Sequence, residues 1–232
     1  MIDFHSHILP KVDDGSSSIE ESLQLLGMLS EQGVKTVCAT PHFLASKTDV
    51  QAFFDKRQAA YDALKPSLSE NFPEIRLGAE VFYYNGISRM QELSRFCIGG
   101  SRLLLLEMPF GSWSEYNIRE VIELSCSGEF QLVLAHIERY GAFQNKKTLE
   151  RLLDSDILLQ SNASTFLSFK TRRKALRLLA QEKIHFIGSD CHSVSARPPK
   201  IGEAKAVIES KLGAGFIEFY NERAMRFLEE SK

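Results

Sequence analysis

Short strand-like runs alternate with helix-like stretches along almost the whole of this 232-residue chain. The run at residues 102–107 contains four consecutive leucines, which is typical of a strand buried on both faces. About seven strand–helix units can be counted, with short connections and no low-complexity linker. Such alternation predicts an α/β fold with a parallel sheet and helices packed outside it, either doubly wound or closed into a barrel. We expect one domain over residues 1–232.

The pattern also predicts individual elements, which the structure can test. Strands are expected at residues 2–5, 34–41, 75–81, 102–107, 131–136, 157–162 and 185–190. Helices are expected at residues 19–32, 48–69, 87–95, 115–127, 146–153 and 170–182, and from residue 201 onward.

Composition favours a soluble cytoplasmic protein. The formal net charge of -2 gives no electrostatic reason to expect nucleic acid as a partner. The first residues lack the basic and apolar regions of a signal peptide, and no apolar run is long enough for membrane insertion. The four cysteines are scattered, which indicates free thiols in a reducing compartment.

Residues that can bind metals lie at the ends of most predicted strands. In a parallel barrel these ends meet on one face, so distant residues are brought together there. In an extended segment residues i and i+2 point the same way, so His5 and His7 can serve one ion, as can Asp190 and His192. There are more candidate ligands than one ion can use, which predicts a cluster of two or three metals. The candidates are His5, His7, Asp13, Asp14, His42, Glu80, Glu107, His136, Asp190 and His192. His185 begins a strand without such a pattern, so we interpret it as a core histidine.

Ordered motifs along the chain resemble those of the polymerase and histidinol phosphatase (PHP) superfamily. They are most similar to the CpsB/CapC-like bacterial tyrosine-protein phosphatases within it. The similarity covers essentially the whole chain and is carried by His5-Ser6-His7, Val12-Asp13-Asp14-Gly15, Gly33-Val34, Thr40-Pro41-His42, Gly78-Ala79-Glu80 with Tyr83-Tyr84, Glu107, Ala135-His136-Ile137-Glu138-Arg139-Tyr140, and Ser189-Asp190-Cys191-His192 with Arg197-Pro198-Pro199.

The resemblance implies a distorted (β/α)7 TIM-like barrel, the PHP fold, with a site for three divalent metal ions. It implies that the ligands are His5, His7, Asp14, His42, Glu80, Glu107, His136, Asp190 and His192, with Asp13 as an alternative to Asp14. Manganese is the expected metal, with iron, magnesium, zinc and cobalt as alternatives. The implied substrate is the phosphotyrosine-bearing tail of a bacterial tyrosine kinase that controls capsule or exopolysaccharide synthesis. The resemblance is compatible with assembly of the chain into a homo-oligomer.

Two arginines are candidates for the catalytic binding of phosphate. A guanidinium offers two parallel donors to a phosphate group, and both Arg139 and Arg197 lie within motifs that carry the resemblance. The structural alternatives are an ion pair of Arg139 with Glu138 or a neighbouring helix, and a loop-anchoring role for Arg197 before Pro198.

Three other functions compete with this prediction. Cys191 and Arg197 have the spacing of cysteine-dependent tyrosine phosphatases, but the intervening residues lack the glycines that let a backbone wrap phosphate. Cys191 is also a departure from the family pattern, in which a methionine is expected. The second alternative is a PHP phosphatase of a small phosphomonoester such as histidinol phosphate. The third is a metal-stabilised regulator that binds a kinase without turnover.

Overall fold

Residues 1–229 are described by the computed structural model, in which strands and helices alternate as expected. The strands are β1 (Ile2–Ser6), β2 (Thr36–Ala39), β3 (His42–Phe43), β4 (Glu74–Leu77), β5 (Glu80–Phe82), β6 (Leu103–Glu107), β7 (Gln131–Leu134), β8 (Leu158–Asn162) and β9 (Phe186–Gly188). The α-helices are α1 (Ile19–Glu31), α2 (Val50–Leu64), α3 (Glu115–Ser125), α4 (Ile137–Tyr140), α5 (Lys146–Leu153), α6 (Ala163–Leu167), α7 (Arg172–Ala180), α8 (Ile201–Leu212) and α9 (Ala214–Glu229). The end of the predicted C-terminal helical region, residues 230–232, lies outside the described residues.

All strand pairs are parallel, and they close into a distorted barrel. One sheet has the order β1-β2-β4 and the other the order β3-β5-β6-β7-β8-β9. β1 and β9 meet through a parallel bridge between Ser6 and Cys191. The His7 N–H donates to the Cys191 carbonyl at 2.9 Å and the Asp190 N–H to the His5 carbonyl at 2.8 Å. This pairing confirms the barrel and excludes the doubly wound alternative.

Two predicted strands are each divided in the structure. The strand expected at residues 34–41 is interrupted at Thr40 and Pro41, between β2 and β3, and proline has no backbone N–H for the ladder. The strand expected at residues 75–81 is interrupted at Gly78, where an added Cβ would lie 2.6 Å from Ile98 Cγ1. These interruptions explain why seven strand positions appear as nine strands within residues 1–229.

Other boundaries also differ from the prediction. The helix expected at residues 87–95 is two 3-10 turns, Ile87–Arg89 and Leu93–Phe96. The helix expected at residues 48–69 ends as an α-helix at Leu64, just before Pro66. β7 ends at Leu134, so His136 follows the strand rather than ending it. Helices α4 and α6 have no counterpart among the predicted elements.

Local chemistry explains where several helices begin. The side chains of Ser18, Asp49, Ser114 and Asn145 each accept a backbone N–H in the first turn of α1, α2, α3 and α5. Such caps satisfy donors that have no partner inside the helix. Among residues 1–229, no helix has the combination of length and apolar character that crossing a membrane requires.

The core lies on both faces of the central strands. On β6, Leu103 and Leu105 join the hydrophobic cluster that contains β1 and β2. Leu104 and Leu106 join a second cluster that includes Val121 of α3. The continuous apolar run of β6 is therefore buried on both sides, as its sequence indicates.

Replacing Gly188 with alanine should destabilise the barrel where β9 passes β1. The added Cβ would lie 2.5 Å from His5 Cβ and 2.9 Å from the His5 backbone nitrogen. Overpacking of this kind costs about 1–3 kcal/mol, so we expect a lower midpoint in urea unfolding. Gly27→Ala in α1 is the matched control, because its Cβ would make an ordinary 3.9 Å contact with Phe72. An unchanged midpoint for Gly188→Ala would show that the β1–β9 crossing has room for a side chain.

Candidate metal centre

Glu80 of β5 lies at the middle of a buried cluster of imidazoles. Its Oε1 is 2.8 Å from His136 Nε2, and its Oε2 is 2.9 Å from His42 Nδ1. Oε2 is also 3.2 Å from His5 Nε2 and 3.4 Å from His7 Nε2. Within the described part of the chain, no donor makes a well-aligned hydrogen bond to this buried Oε2 atom. A buried carboxylate oxygen that is surrounded by imidazole nitrogens and has no hydrogen-bond donor fits a site that holds metal ions.

The structure brings together all nine residues predicted as ligands. Their potential ligand atoms form four overlapping groups, and the atoms of each group lie within 4.8 Å of one another. The groups are His5, His7 and Glu80; His5, His136 and Asp190; His42, Glu80 and Glu107; and His7, Asp14, His42 and His192. Because residues are shared between groups, the arrangement suits adjacent ions with bridging carboxylates better than a single ion.

In four of the histidines, Nδ1 has an oxygen partner that is not one of the candidate ligand atoms. An oxygen at Nδ1 favours one tautomer and ring orientation and directs Nε2 toward the cluster, as in most histidine metal sites. The pairs are His5 Nδ1 with Gln160 Oε1 at 3.4 Å, His7 Nδ1 with Asp13 Oδ2 at 2.6 Å, His136 Nδ1 with Asn162 Oδ1 at 2.9 Å, and His192 Nδ1 with the Asp190 carbonyl at 3.0 Å.

The two aspartates of the first loop have different positions. Asp14 is 71% exposed, and its Oδ1 lies 3.5 Å from His42 Nε2 and 3.6 Å from His192 Nε2. Asp13 is nearly buried, and it accepts backbone N–H groups from Gly15 and His42 in addition to its contact with His7. Asp14 therefore lies with the potential ligands, whereas Asp13 shapes the turn and orients His7.

Two residues of the cluster have strained backbones. His136 and Asp190 have φ angles of 51° and 53°, in the left-handed region that non-glycine residues seldom occupy. Both follow directly after strands that point at the cluster. Such strain is found mostly at functional sites, where it directs a side chain that an ordinary strand would point elsewhere.

The buried carboxylates of the cluster are ionised only where positive charge lies close to them. Burial alone would raise the pKa of Glu80, but His5 and His136 reverse this and hold that pKa well below its usual range. Burial, together with the neighbouring charge of Glu80, raises the pKa of Glu107 to about 7. Divalent cations would add positive charge that favours the ionised form of these neighbouring carboxylates.

Arg139 and Arg197 approach Asp190 from different elements. Arg139, in α4, donates to Asp190 Oδ2 and is 33% exposed. Arg197 donates to Asp190 Oδ1 at 3.3 Å and is 48% exposed. Both line a cavity of about 170 Å³ with Lys200 and Ser164. Two partly exposed guanidiniums at the edge of the cluster form a site suited to an anion.

Cys191 and His185 do not take part in the cluster. The Cys191 side chain is fully buried in the hydrophobic core, and burial raises the pKa of its thiol far above the ordinary value. A buried, protonated thiol is a poor nucleophile, which argues against the cysteine-dependent mechanism. His185 Nδ1 accepts the Leu159 N–H at 3.0 Å, which agrees with its interpretation as a core histidine.

Three supporting residues were missed in the sequence. Asp3 is fully buried, accepts both the backbone N–H and the hydroxyl of Ser189, and so joins β1 to β9. Burial raises the pKa of Asp3 to about 7. Gln160 and Asn162 of β8 hold His5 and His136, and Asn162 Nδ2 also donates to Asp190 at 2.8 Å. The i, i+2 spacing is the sequence signal for them, because side chains two residues apart on a strand point the same way. Asp3 precedes His5 by two residues, and Gln160 precedes Asn162 by two.

Comparison with known proteins identifies the family. The family described as "Capsular polysaccharide synthesis, CpsB/CapC" matches residues 1–228. Tyrosine-protein phosphatase CpsB of Streptococcus pneumoniae is 29% identical over 241 residues, covering 92% of each chain. Tyrosine-protein phosphatase YwqE of Bacillus subtilis is 30% identical over 234 residues, covering 97% of this chain and 90% of the relative.

A solved structure agrees with these relatives. It comes from a study of YwqE from Bacillus subtilis and CpsB from Streptococcus pneumoniae, described as unique metal-dependent tyrosine phosphatases. It superposes with a TM-score of 0.83 and 25% identity, covering 100% of this chain and 96% of that chain. The chain therefore belongs to the CpsB/CapC family of capsular polysaccharide synthesis proteins.

Proposed function

We propose that this protein is a metal-dependent protein-tyrosine phosphatase. Its substrate is the phosphotyrosine-bearing tail of a bacterial tyrosine kinase that controls capsule or exopolysaccharide synthesis, and it acts in the cytoplasm. The observation that carries the proposal is the convergence of buried imidazoles and carboxylates on Glu80, with two arginines beside them. Relatives named tyrosine-protein phosphatases, similar over nearly their whole length, support the choice of substrate.

The metal ligands we propose follow the four groups of the cluster. Three divalent ions, with manganese as the first candidate, would be held by His5, His7, Asp14, His42, Glu80, Glu107, His136, Asp190 and His192. Imidazole and carboxylate donors suit manganese, iron, zinc or cobalt, and availability decides among them.

The residues around the cluster account for substrate binding. Divalent cations bound there would supply Lewis-acid activation of water and would neutralise charge on phosphoryl oxygens. Arg139 and Arg197 bind the remaining phosphoryl oxygens through charge-assisted hydrogen bonds and orient the phosphate for in-line attack. A tyrosine phenolate, with a reference pKa of ~10, leaves more easily than a serine alkoxide, so we assign no general acid.

Removal of divalent metal should abolish hydrolysis of a phosphotyrosine peptide. We expect activity to fall below about a hundredth of its starting value after chelation and to return with added manganese, because metal sites supply several kcal/mol to such reactions. We would measure initial rates on three substrates: a phosphotyrosine peptide, a phosphoserine peptide and histidinol phosphate. Elemental analysis of each sample would give its metal content. Preference for histidinol phosphate would favour the small-molecule alternative, and peptide binding without turnover would favour a regulator.

Glu80→Gln should remove metal without unfolding the protein. The neutral amide is a weaker ligand and cannot bridge two cations, so we expect metal affinity to fall at least about tenfold. Elemental analysis after dialysis measures the loss, and circular dichroism checks folding. Glu123→Gln, at an exposed position on α3, is the control. Full metal content in folded Glu80→Gln would argue against Glu80 as a ligand.

Arg139→Ala should chiefly impair catalysis. Loss of a preorganised donor to the phosphoryl group typically costs about a hundredfold, and we expect that loss in kcat/KM on a phosphotyrosine peptide. Arg139→Lys should recover only part of it, because lysine cannot offer two parallel donors. Arg151→Ala is the matched control, since Arg151 pairs with Glu115 away from the cluster. A parallel loss of bound metal in Arg139→Ala would point to a structural role.

A further inference from the structure

Two neighbouring phenylalanines are exposed near the edge of the metal centre, and one of them, Phe110, lies against Arg139. Phe110, in the segment after β6, is 44% exposed, and Phe143, after α4, is 42% exposed. Their ring centroids are 6.2 Å apart. The Arg139 guanidinium carbon lies 5.7 Å from the centre of the Phe110 ring, which is a cation–π distance. We call Phe110 and Phe143 the aromatic ledge.

The segment that carries Phe110 is tied down on both sides. The Tyr140 hydroxyl accepts the Met108 N–H at 2.9 Å, and the Trp113 indole donates to the Pro109 carbonyl at 2.9 Å. The Gln144 side chain both accepts the Trp113 N–H at 3.2 Å and donates to the Gly111 carbonyl at 2.6 Å. These contacts hold the position of Phe110 before any substrate arrives.

The exposure of Phe110 is therefore built into the loop rather than a result of loose packing. Its ring also contacts Tyr140 at a centroid distance of 6.1 Å, which leaves part of the ring facing solvent beside Arg139. Apolar surface presented by a held segment at the edge of a polar site is typical of a surface that receives a ligand.

We propose that Phe110 binds the phenyl ring of the substrate phosphotyrosine and makes the enzyme selective for aryl over alkyl phosphates. This inference rests on the proposed phosphatase function. Arg139 contacts both Asp190 of the metal centre and the Phe110 ring. The ring carbon of an aryl phosphate is two bonds from phosphorus, through the ester oxygen, so a phosphate bound by Arg139 can place its ring beside Phe110, whose ring centroid is 5.7 Å from the Arg139 guanidinium carbon. An alkyl phosphate offers no ring for offset or edge-to-face packing.

The test compares phenyl phosphate with glycerol 2-phosphate as substrates of the manganese-loaded enzyme. We expect Phe110→Ala to lower kcat/KM for phenyl phosphate about tenfold, mainly through KM, and to change kcat/KM for glycerol 2-phosphate less than about twofold. Phe110→Tyr should retain the wild-type ratio of the two values, whereas Phe110→Leu, which keeps apolar area without a ring, should retain only part of it. Phe169→Ala is the matched control, because Phe169 is 93% exposed and lies outside the metal centre.

The outcomes separate this inference from the phosphatase function itself. The inference is wrong if Phe110→Ala is active but keeps the wild-type ratio of kcat/KM for phenyl phosphate to kcat/KM for glycerol 2-phosphate, including the case in which both values fall equally. The proposed function would still stand. An effect on phosphotyrosine peptides but not on phenyl phosphate would also overturn it, because the ledge would then bind a neighbouring side chain. Wild-type protein that hydrolyses a phosphotyrosine peptide but not phenyl phosphate would overturn this inference alone, and wild-type protein that hydrolyses neither would overturn both proposals.

Discussion

The pairing of the first strand with the last is the constraint on which the metal centre depends. The Ser6–Cys191 bridge and the hydrogen bonds beside it place His5 and His7 next to Asp190 and His192. Asp3 strengthens this junction by accepting two hydrogen bonds from Ser189. Without closure, residues separated by most of the chain would lie at opposite edges of an open sheet.

Closure also determines which residues surround Glu80. Its two carboxylate oxygens contact imidazoles from β1, from β3 and from the segment that follows β7. Burial of so many ionisable groups is costly unless their charges balance. The oxygen partners at the Nδ1 atoms orient the rings, so the site is organised by a polar shell as well as by its potential ligands.

The sequence predicted the positions of the candidate ligands because strand ends in a parallel barrel converge. That rule needs only the strand order along the chain, so it located His42, Glu107 and His136 despite errors of several residues in some strand boundaries. It could not indicate the interruptions at Pro41 and Gly78, since these depend on contacts with neighbouring elements such as Ile98. Nor could it place Phe110, because the position of that segment is set by Tyr140, Trp113 and Gln144 together.

The burial of Cys191 has a consequence for how such an enzyme tolerates its chemical surroundings. Its neighbours Asp190 and His192 turn toward the cluster, while its own sulfur lies in the hydrocarbon interior, fully out of solvent. Peroxide and alkylating reagents act on accessible thiolates, so they have no target among the groups we assign to catalysis. Oxidative stress that inactivates phosphatases with a sulfur nucleophile would therefore not inactivate this site through a cysteine, and activity would depend on the supply of bound metal.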